Sequence, residues 1–110
     1  MGAIAVGNVV SVAFPYADFS RFKNRPALVV GLAEFDNLIL CQITSQRLTS
    51  KRAIPISDKD FSKGSLRIRS FARPDKLFTA ETAIVQKTIG NLTAVKRREI
   101  LATIRQLFIG

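Results

Sequence analysis

The sequence has no histidine and a single cysteine in 110 residues. Without histidine there is no Ser-His or Cys-His nucleophile pair and no histidine-ligated metal. The lone Cys41 excludes an internal disulfide and a cysteine-rich zinc site, which suits a reducing cytoplasm. Set inside an apolar run, it reads as a small buried hydrophobe rather than a reactive thiol. Any catalysis must therefore run on Arg, Lys, Asp, Glu, Ser, Thr or Tyr, and no metal or cofactor is expected. No apolar window reaches the length of a membrane span. Residues 1–7 are apolar but short and lack a positive flank, so they are not expected to act as a signal peptide. Val6 stands where a myristoylation pattern wants Ser or Thr. A soluble, cytoplasmic protein is the expectation.

Acidic residues are also scarce. Eight Asp+Glu face 17 Lys+Arg, leaving a formal charge of +9. Such a balance favours polyanionic partners: nucleic acid first, an acidic protein second, an anionic membrane surface third. The 47% apolar content argues for a folded chain. The length suits one domain over residues 1–110 with a single core.

The organising stretch runs from Asn24 to Gln46. Asn24-Arg25-Pro26 leads into the apolar run Ala27–Val30, a polar break follows at Glu34–Asn37, and the chain returns as Leu38–Gln46. Two β-rich runs around a polar break predict a strand pair, and the first, apolar at every position, predicts burial on both faces. Arg25 sits at the mouth of the first run, and Thr44 and Ser45 lie at the end of the second. A cation beside hydroxyls on a buried hairpin is a candidate anion or phosphate site.

Around this pair, Asn8–Phe14 predicts a strand with Val10, Val12 and Phe14 on one face, ended by Pro15. Residues 15–24 predict a basic loop with Asp18, Ser20, Arg21 and Lys23. The basic stretch Arg47–Arg52 follows, and Pro55 makes Ala53–Ile56 an edge strand. Ser57–Gly64 predicts a turn, or one helical turn capped by Ser57. Leu66–Arg73 predicts a strand with Arg67, Arg69, Phe71 and Arg73 on one face, cations around a ring suited to phosphates and a stacked base. Pro74–Lys76 is expected to end it, with short strands at Leu77–Thr79 and Ile84–Lys87. Thr93 should cap a final helix whose Ile100, Leu101, Ile104, Leu107 and Phe108 form an apolar stripe, with Arg97 at its rim. Five to seven short strands and one helix make the chain mainly β with minor α, a small, partly closed β-barrel.

The pieces Gly7-Asn8-Val9-Val10 with Phe14-Pro15, Arg25-Pro26-Ala27-Leu28-Val29, Ile43-Thr44-Ser45, Arg73-Pro74-Asp75-Lys76-Leu77 and Ile89-Gly90-Asn91-Leu92-Thr93 together resemble the MazF/PemK (Kid-like) toxins of bacterial toxin–antitoxin systems. The resemblance spans nearly the whole chain. It implies an SH3-like barrel that forms a homodimer, is neutralised by an acidic antitoxin and cleaves single-stranded RNA without metal. In that chemistry the ribose 2′-OH attacks the adjacent phosphorus and leaves a 2′,3′-cyclic phosphate and a 5′-OH. It also implies that Arg25 stabilises the developing charge, that Thr44 donates to the scissile phosphate, and that Arg73 and Asp75 act as acid and base in one branch of the family. The segment before Arg25 departs from the family pattern: residues 18–24 lack the usual Glu, Gln or His, and Ser20 can hydrogen-bond a phosphate but cannot act as a general base unaided. The expected catalytic residues are thus Arg25, Thr44, Ser20, Arg73 and Asp75. Arg21, Lys23, Asn24, Ser45, Gln46, Lys51, Arg52, Arg67, Arg69 and Phe71 are expected to hold RNA. Gyrase inhibition by a toxin of the same fold, or RNA binding without cleavage, are the competing readings.

Overall fold

The apolar run at residues 27–30 has a sheet face on either side of it, and that two-sided burial shapes the molecule. The computed structural model describes residues 4–15, 22–46 and 51–109. Strands β1 (Asn8–Pro15), β2 (Phe22–Ala33), β3 (Asn37–Thr44), β4 (Ile54–Ile56), β5 (Phe61–Gly64), β6 (Ser70–Glu81) and β7 (Val85–Leu92) form one antiparallel sheet in the order β4-β6-β3-β2-β1-β7-β5. The sheet curls into an open half-barrel with β4 and β5 as its edges. The expected mainly-β, partly closed barrel is what forms.

The central hairpin is β2–β3, with Leu28 opposite Cys41 and Ala27 opposite Gln42. Its turn holds Phe35 and Asp36 at φ 59° and 58°, the left-handed geometry that lets a tight turn follow the strand twist. The Asn37 side-chain amide steadies it by donating to the Glu34 carbonyl at 2.9 Å. Alternation then sends Val9, Leu28, Cys41, Ile43 and Ala72 to one face, where Ile100 and Ile104 of the helix α1 (Ala94–Gln106) cover them. Val10, Val12, Ala27, Val29, Leu38 and Leu40 go to the other, with Phe78, Ala80, Ile84 and Val85 packed beside them. Burial of this many aliphatic side chains is the main stabilising term.

Helix α1 begins where expected: the Thr93 hydroxyl accepts from the Lys96 amide at 3.2 Å. Its stripe is buried at Ile100 and Ile104, but Phe108 is 73% exposed, because the helix has ended before it. Arg97 lies at the rim, its guanidinium donating to the Val6 carbonyl at 3.5 Å.

Four expectations change. Lys23 and Asn24 belong to β2 rather than to a loop, paired with Phe14 and Ala13. Phe61–Gly64 is a strand on β7, preceded by the Ser57-capped turn Asp58–Asp60. Residues 66–69 are not a strand. Upstream of Ser70 there is no ladder to join, since β4 reaches only Ile56 opposite Ser70 and β3 ends at Thr44 opposite Phe71. Finally, Pro74–Lys76 does not end its strand. Cys41 pairs with Leu77 and the next residue, Gln42, with Arg73, so 74–76 bulge out of a continuous β6. A bulge leaves its residues outside the ladder, where a proline's missing N–H costs nothing.

Candidate active site

A cleft of about 400 Å³ caps the open end of the central hairpin. Lys23, Arg25 and Arg67 supply cations to its border, Thr44, Ser45 and Ser70 supply hydroxyls, and no carboxylate is among the described residues that line it. The ladders explain how distant segments meet here. Continuing the β2–β3 register two residues past Ala27–Gln42 puts Arg25 opposite Thr44, and Phe71 of β6 stands opposite Thr44 on the other side. Arg25, Thr44 and Phe71 thus form one rank across three strands; Ala27, Gln42 and Arg73, two residues along, form the next rank on the same face. The three-residue bulge in β6 sets this arrangement, since an odd insertion exchanges the two faces of a strand. Without it Ala72 would share the face of Thr44.

Thr44 is 7% exposed, and its Oγ1 accepts from the Gln46 amide at 3.1 Å. Its proton meets no acceptor among the described residues, so it can be donated to a ligand oxygen. The same bond shapes the turn that carries the exposed Ser45 and Gln46 to the cleft border. Arg25 is half-buried and has no hydrogen-bond or ion-pair partner among the described residues. Its planar fork is suited to phosphate oxygens.

Arg73 is differently placed. Its Nε and a terminal nitrogen donate to the two Asp75 carboxylate oxygens at 3.1 Å each, and neither residue borders the cleft. These hydrogen bonds hold the Asp75 carboxyl below its ordinary range, with the charge of Arg52 adding a little. A carboxylate so stabilised is a weaker base than a free one. The Arg73 carbonyl accepts from the Cys41 thiol at 3.2 Å, and burial pushes that thiol up to about 12. Cys41 is therefore a packing residue, protonated and inert at neutral pH.

Of the remaining expected residues, Lys23, Asn24, Ser45, Gln46 and Arg67 border the cleft. Lys51 and Arg52 are exposed on the turn before β4 and are not among the described residues that border the cleft. Arg69 lies with its guanidinium 6.0 Å over the Phe71 ring, so a cation already covers the face expected to stack a base. Ser20 and Arg21 lie outside the described residues. Leu66, Ile68 and Pro26 also border the cleft, and nothing in their apolar character distinguished them from core positions. Among the described residues, no three His, Cys, Asp or Glu side chains gather as a metal site, and no helix is long and apolar enough to cross a membrane.

The family model for the PemK-like, MazF-like toxin of type II toxin–antitoxin systems matches residues 5–108. Among solved structures, the fold is similar to MazE-MazF from Deinococcus radiodurans (TM-score 0.75, 16% identity, 94% of each chain). It is also similar to an endoribonuclease in complex with its cognate antitoxin from a mycobacterial species (TM-score 0.74, 13% identity, 98% of this chain and 95% of that one). A third likeness is to the Mycobacterium tuberculosis toxin MazF-mt6 (TM-score 0.69, 20% identity, 92% and 95%). No curated protein sequence matches the chain.

Proposed function

Because the chain belongs to the PemK-like, MazF-like toxins of type II toxin–antitoxin systems, we propose that it is a metal-independent endoribonuclease that cuts single-stranded RNA. The observation that carries this reading is a cleft that gathers Lys23, Arg25 and Arg67 around the buried Thr44 hydroxyl, with no carboxylate among the described residues of its border. Such a site attracts a phosphodiester and repels nothing in it. The substrate brings its own nucleophile, so the protein's contribution is orientation and charge stabilisation. Arg25 grips the non-bridging oxygens through its fork and stabilises the extra negative charge as the 2′-OH adds to phosphorus. Thr44 donates to the same phosphate and fixes its position in the rank. As the O2′–P bond forms, the P–O5′ bond breaks; the 2′-OH gives its proton to solvent and the departing 5′-oxygen takes one from solvent, so the products are a 2′,3′-cyclic phosphate and a 5′-OH. Arg73 adds positive potential from the neighbouring rank, with Asp75 as its clamp, and Ser20 is a candidate hydrogen-bond donor through the family resemblance alone.

Lys23, Asn24, Ser45, Gln46 and Arg67 hold the RNA near the cut, and Arg21, Lys51, Arg52, Arg69 and Phe71 extend that surface. The same positive surface suits an acidic antitoxin, which neutralises the enzyme by covering it. The active form is a cytoplasmic homodimer.

The test is incubation with a long single-stranded RNA in EDTA, with wild type beside Arg25→Ala, and chemical mapping of the new 5′ ends. Discrete cuts bearing 5′-OH that fall by about 10²–10³ in rate in the variant are expected. Intact RNA from a protein that still arrests growth would overturn the nuclease reading and point to a target such as gyrase. Intact RNA that is nonetheless bound would leave a silent RNA-binding module.

A further inference from the structure

Residues 65–69 form a wall with a cleft on each side. The candidate active site lies on one side. On the other is a second cleft of about 290 Å³, and Leu66, Arg67 and Ile68 border both. Ile68 is 65% exposed on this wall, a branched apolar side chain placed to wedge between neighbouring bases.

The second cleft has a different chemistry from the first. Ile56, Phe61 and Leu66 give it an apolar lining, Arg67 and Arg69 flank it, and Asp58 brings a carboxylate. The Phe61 ring is braced against the backbone of Gly90, where a Cβ would press on it. Asp58 has no hydrogen bond or ion pair among the described residues. Its neighbour Asp60 is engaged by contrast through Oδ2, which accepts from the Ser57 amide at 2.9 Å and hydroxyl at 3.2 Å and lies 3.9 Å from the Lys96 ammonium. One of two nearby carboxylates is thus structural and the other is left facing a cleft.

We infer that this second cleft is a base-reading subsite for a nucleotide flanking the scissile phosphate, selective for guanine, with Asp58 as the reading residue. The inference rests on the nuclease reading above. A base has apolar faces and a polar edge, which is what apolar walls at Ile56, Phe61 and Leu66 with the Asp58 carboxylate at their border accept. An ionised carboxylate only accepts hydrogen bonds. Guanine presents N1–H and its 2-amino group side by side, one donor for each oxygen. Adenine and cytosine set a single amino group beside a ring-nitrogen acceptor, which the carboxylate repels, and uracil offers one N–H between two carbonyls. Single-stranded RNA exposes this edge for reading. Arg67, on the shared wall, meets the phosphate between the two nucleotides, and contacts of that kind position the strand without reading it.

The experiment uses a randomised single-stranded RNA pool in EDTA, with cut sites read by sequencing for wild type, Asp58→Asn and Arg69→Ala. It is paired with one cleaved oligonucleotide carrying either guanine or inosine at the preferred position. Wild type is expected to favour guanine at one fixed distance from the cut by roughly tenfold or more, and inosine, which lacks the 2-amino group, to reduce cutting to a similar degree. Asp58→Asn should relax the preference and cut the two oligonucleotides alike. Arg69→Ala should weaken RNA binding across all sequences while the preference stays. Asp58 is exposed, and unchanged melting temperatures will show that the variants fold. Cutting without a guanine preference, a preference that survives Asp58→Asn, or loss of all cutting in a folded Asp58→Asn would overturn the subsite and leave the nuclease reading intact. Wild type that neither cuts nor binds the pool would overturn the nuclease reading and this inference with it.

Discussion

Arg25 and Arg73 share a local grammar and differ in one residue. Each directly precedes a proline, which confines its backbone to the extended region, and each lies on the same face of the sheet, with β3 between them. Two residues after Arg25 comes Ala27, fully buried; two residues after Arg73 comes Asp75, which fills the guanidinium fork at 3.1 Å. One arginine is left to face a cleft and the other has its fork occupied by a carboxylate where it stands. A basic sequence therefore does not locate a phosphate site by its arginines; the residue two positions along decides which of them is available. A phosphate at Arg73 must compete with a bidentate carboxylate, whereas at Arg25 no described carboxylate competes.

The sharpest way to break this contrast is to keep the charge of Arg25 and remove its fork. Arg25→Lys should lower the cleavage rate by about 10², with substrate binding weakened much less, because a point charge attracts the phosphate without matching its oxygens. A rate within a few-fold of wild type, measured on a single-site oligonucleotide, would mean that Arg25 contributes only charge. The contrast with Arg73 would then lose its geometric basis. Thr44→Val comes next. It keeps the shape and removes the one hydroxyl donor in the rank, so the rate should fall about tenfold, as for a hydrogen bond to a charged group. The amide of exposed Gln46 can turn to water, so unfolding free energy should change by less than about 1 kcal/mol. A large loss of stability would make Thr44 a structural residue of the 44–46 turn.

What was legible in the sequence follows the same division. The central hairpin could be read because its first run is apolar at consecutive positions, a pattern that two covered faces require and that β2 meets. Thr93 could be read because a cap is local chemistry. The path of β6 could not. Pro74 carries the ordinary signal for a strand end, and only pairing with β3, more than thirty residues away in sequence, keeps the strand going through the bulge. The face of Arg73 depends on that bulge, so its place beside the rank of Arg25 and Thr44 was beyond local pattern. Residues 66–69 alternate as a strand would, yet have no partner strand to define a face; Ile68 is exposed instead of inward. Asp58 gave no functional signal: the Ser-x-x-Asp spacing points to Asp60 as the capping carboxylate, and nothing local says that its neighbour faces a cleft.

The smallest expected effect, and the one that tests the other half of the contrast, belongs to Asp75→Asn. Hydrogen bonds from Arg73 lower the Asp75 pKa in the folded protein, while the unfolded chain titrates near ~3.9. A carboxyl that binds its proton less tightly when folded stabilises the fold in its ionised form. Its contribution is fully present above the unfolded value and is lost as pH falls through the lower folded one. The pair is solvent-accessible, with the Asp75 side chain 37% exposed, so wild type should exceed the variant by only about 0.2–1 kcal/mol at neutral pH. The two unfolding curves should begin to approach each other as pH falls below about 4 and meet only below the folded pKa. Cleavage at neutral pH should fall only a few-fold, because a loosened Arg73 still carries its charge one rank from the phosphate. If Asp75 instead moves the proton, the loss should approach the 10²–10⁴ typical of a general base or acid. The two arginines would then belong to one catalytic unit, with Asp75 the group that separates their roles.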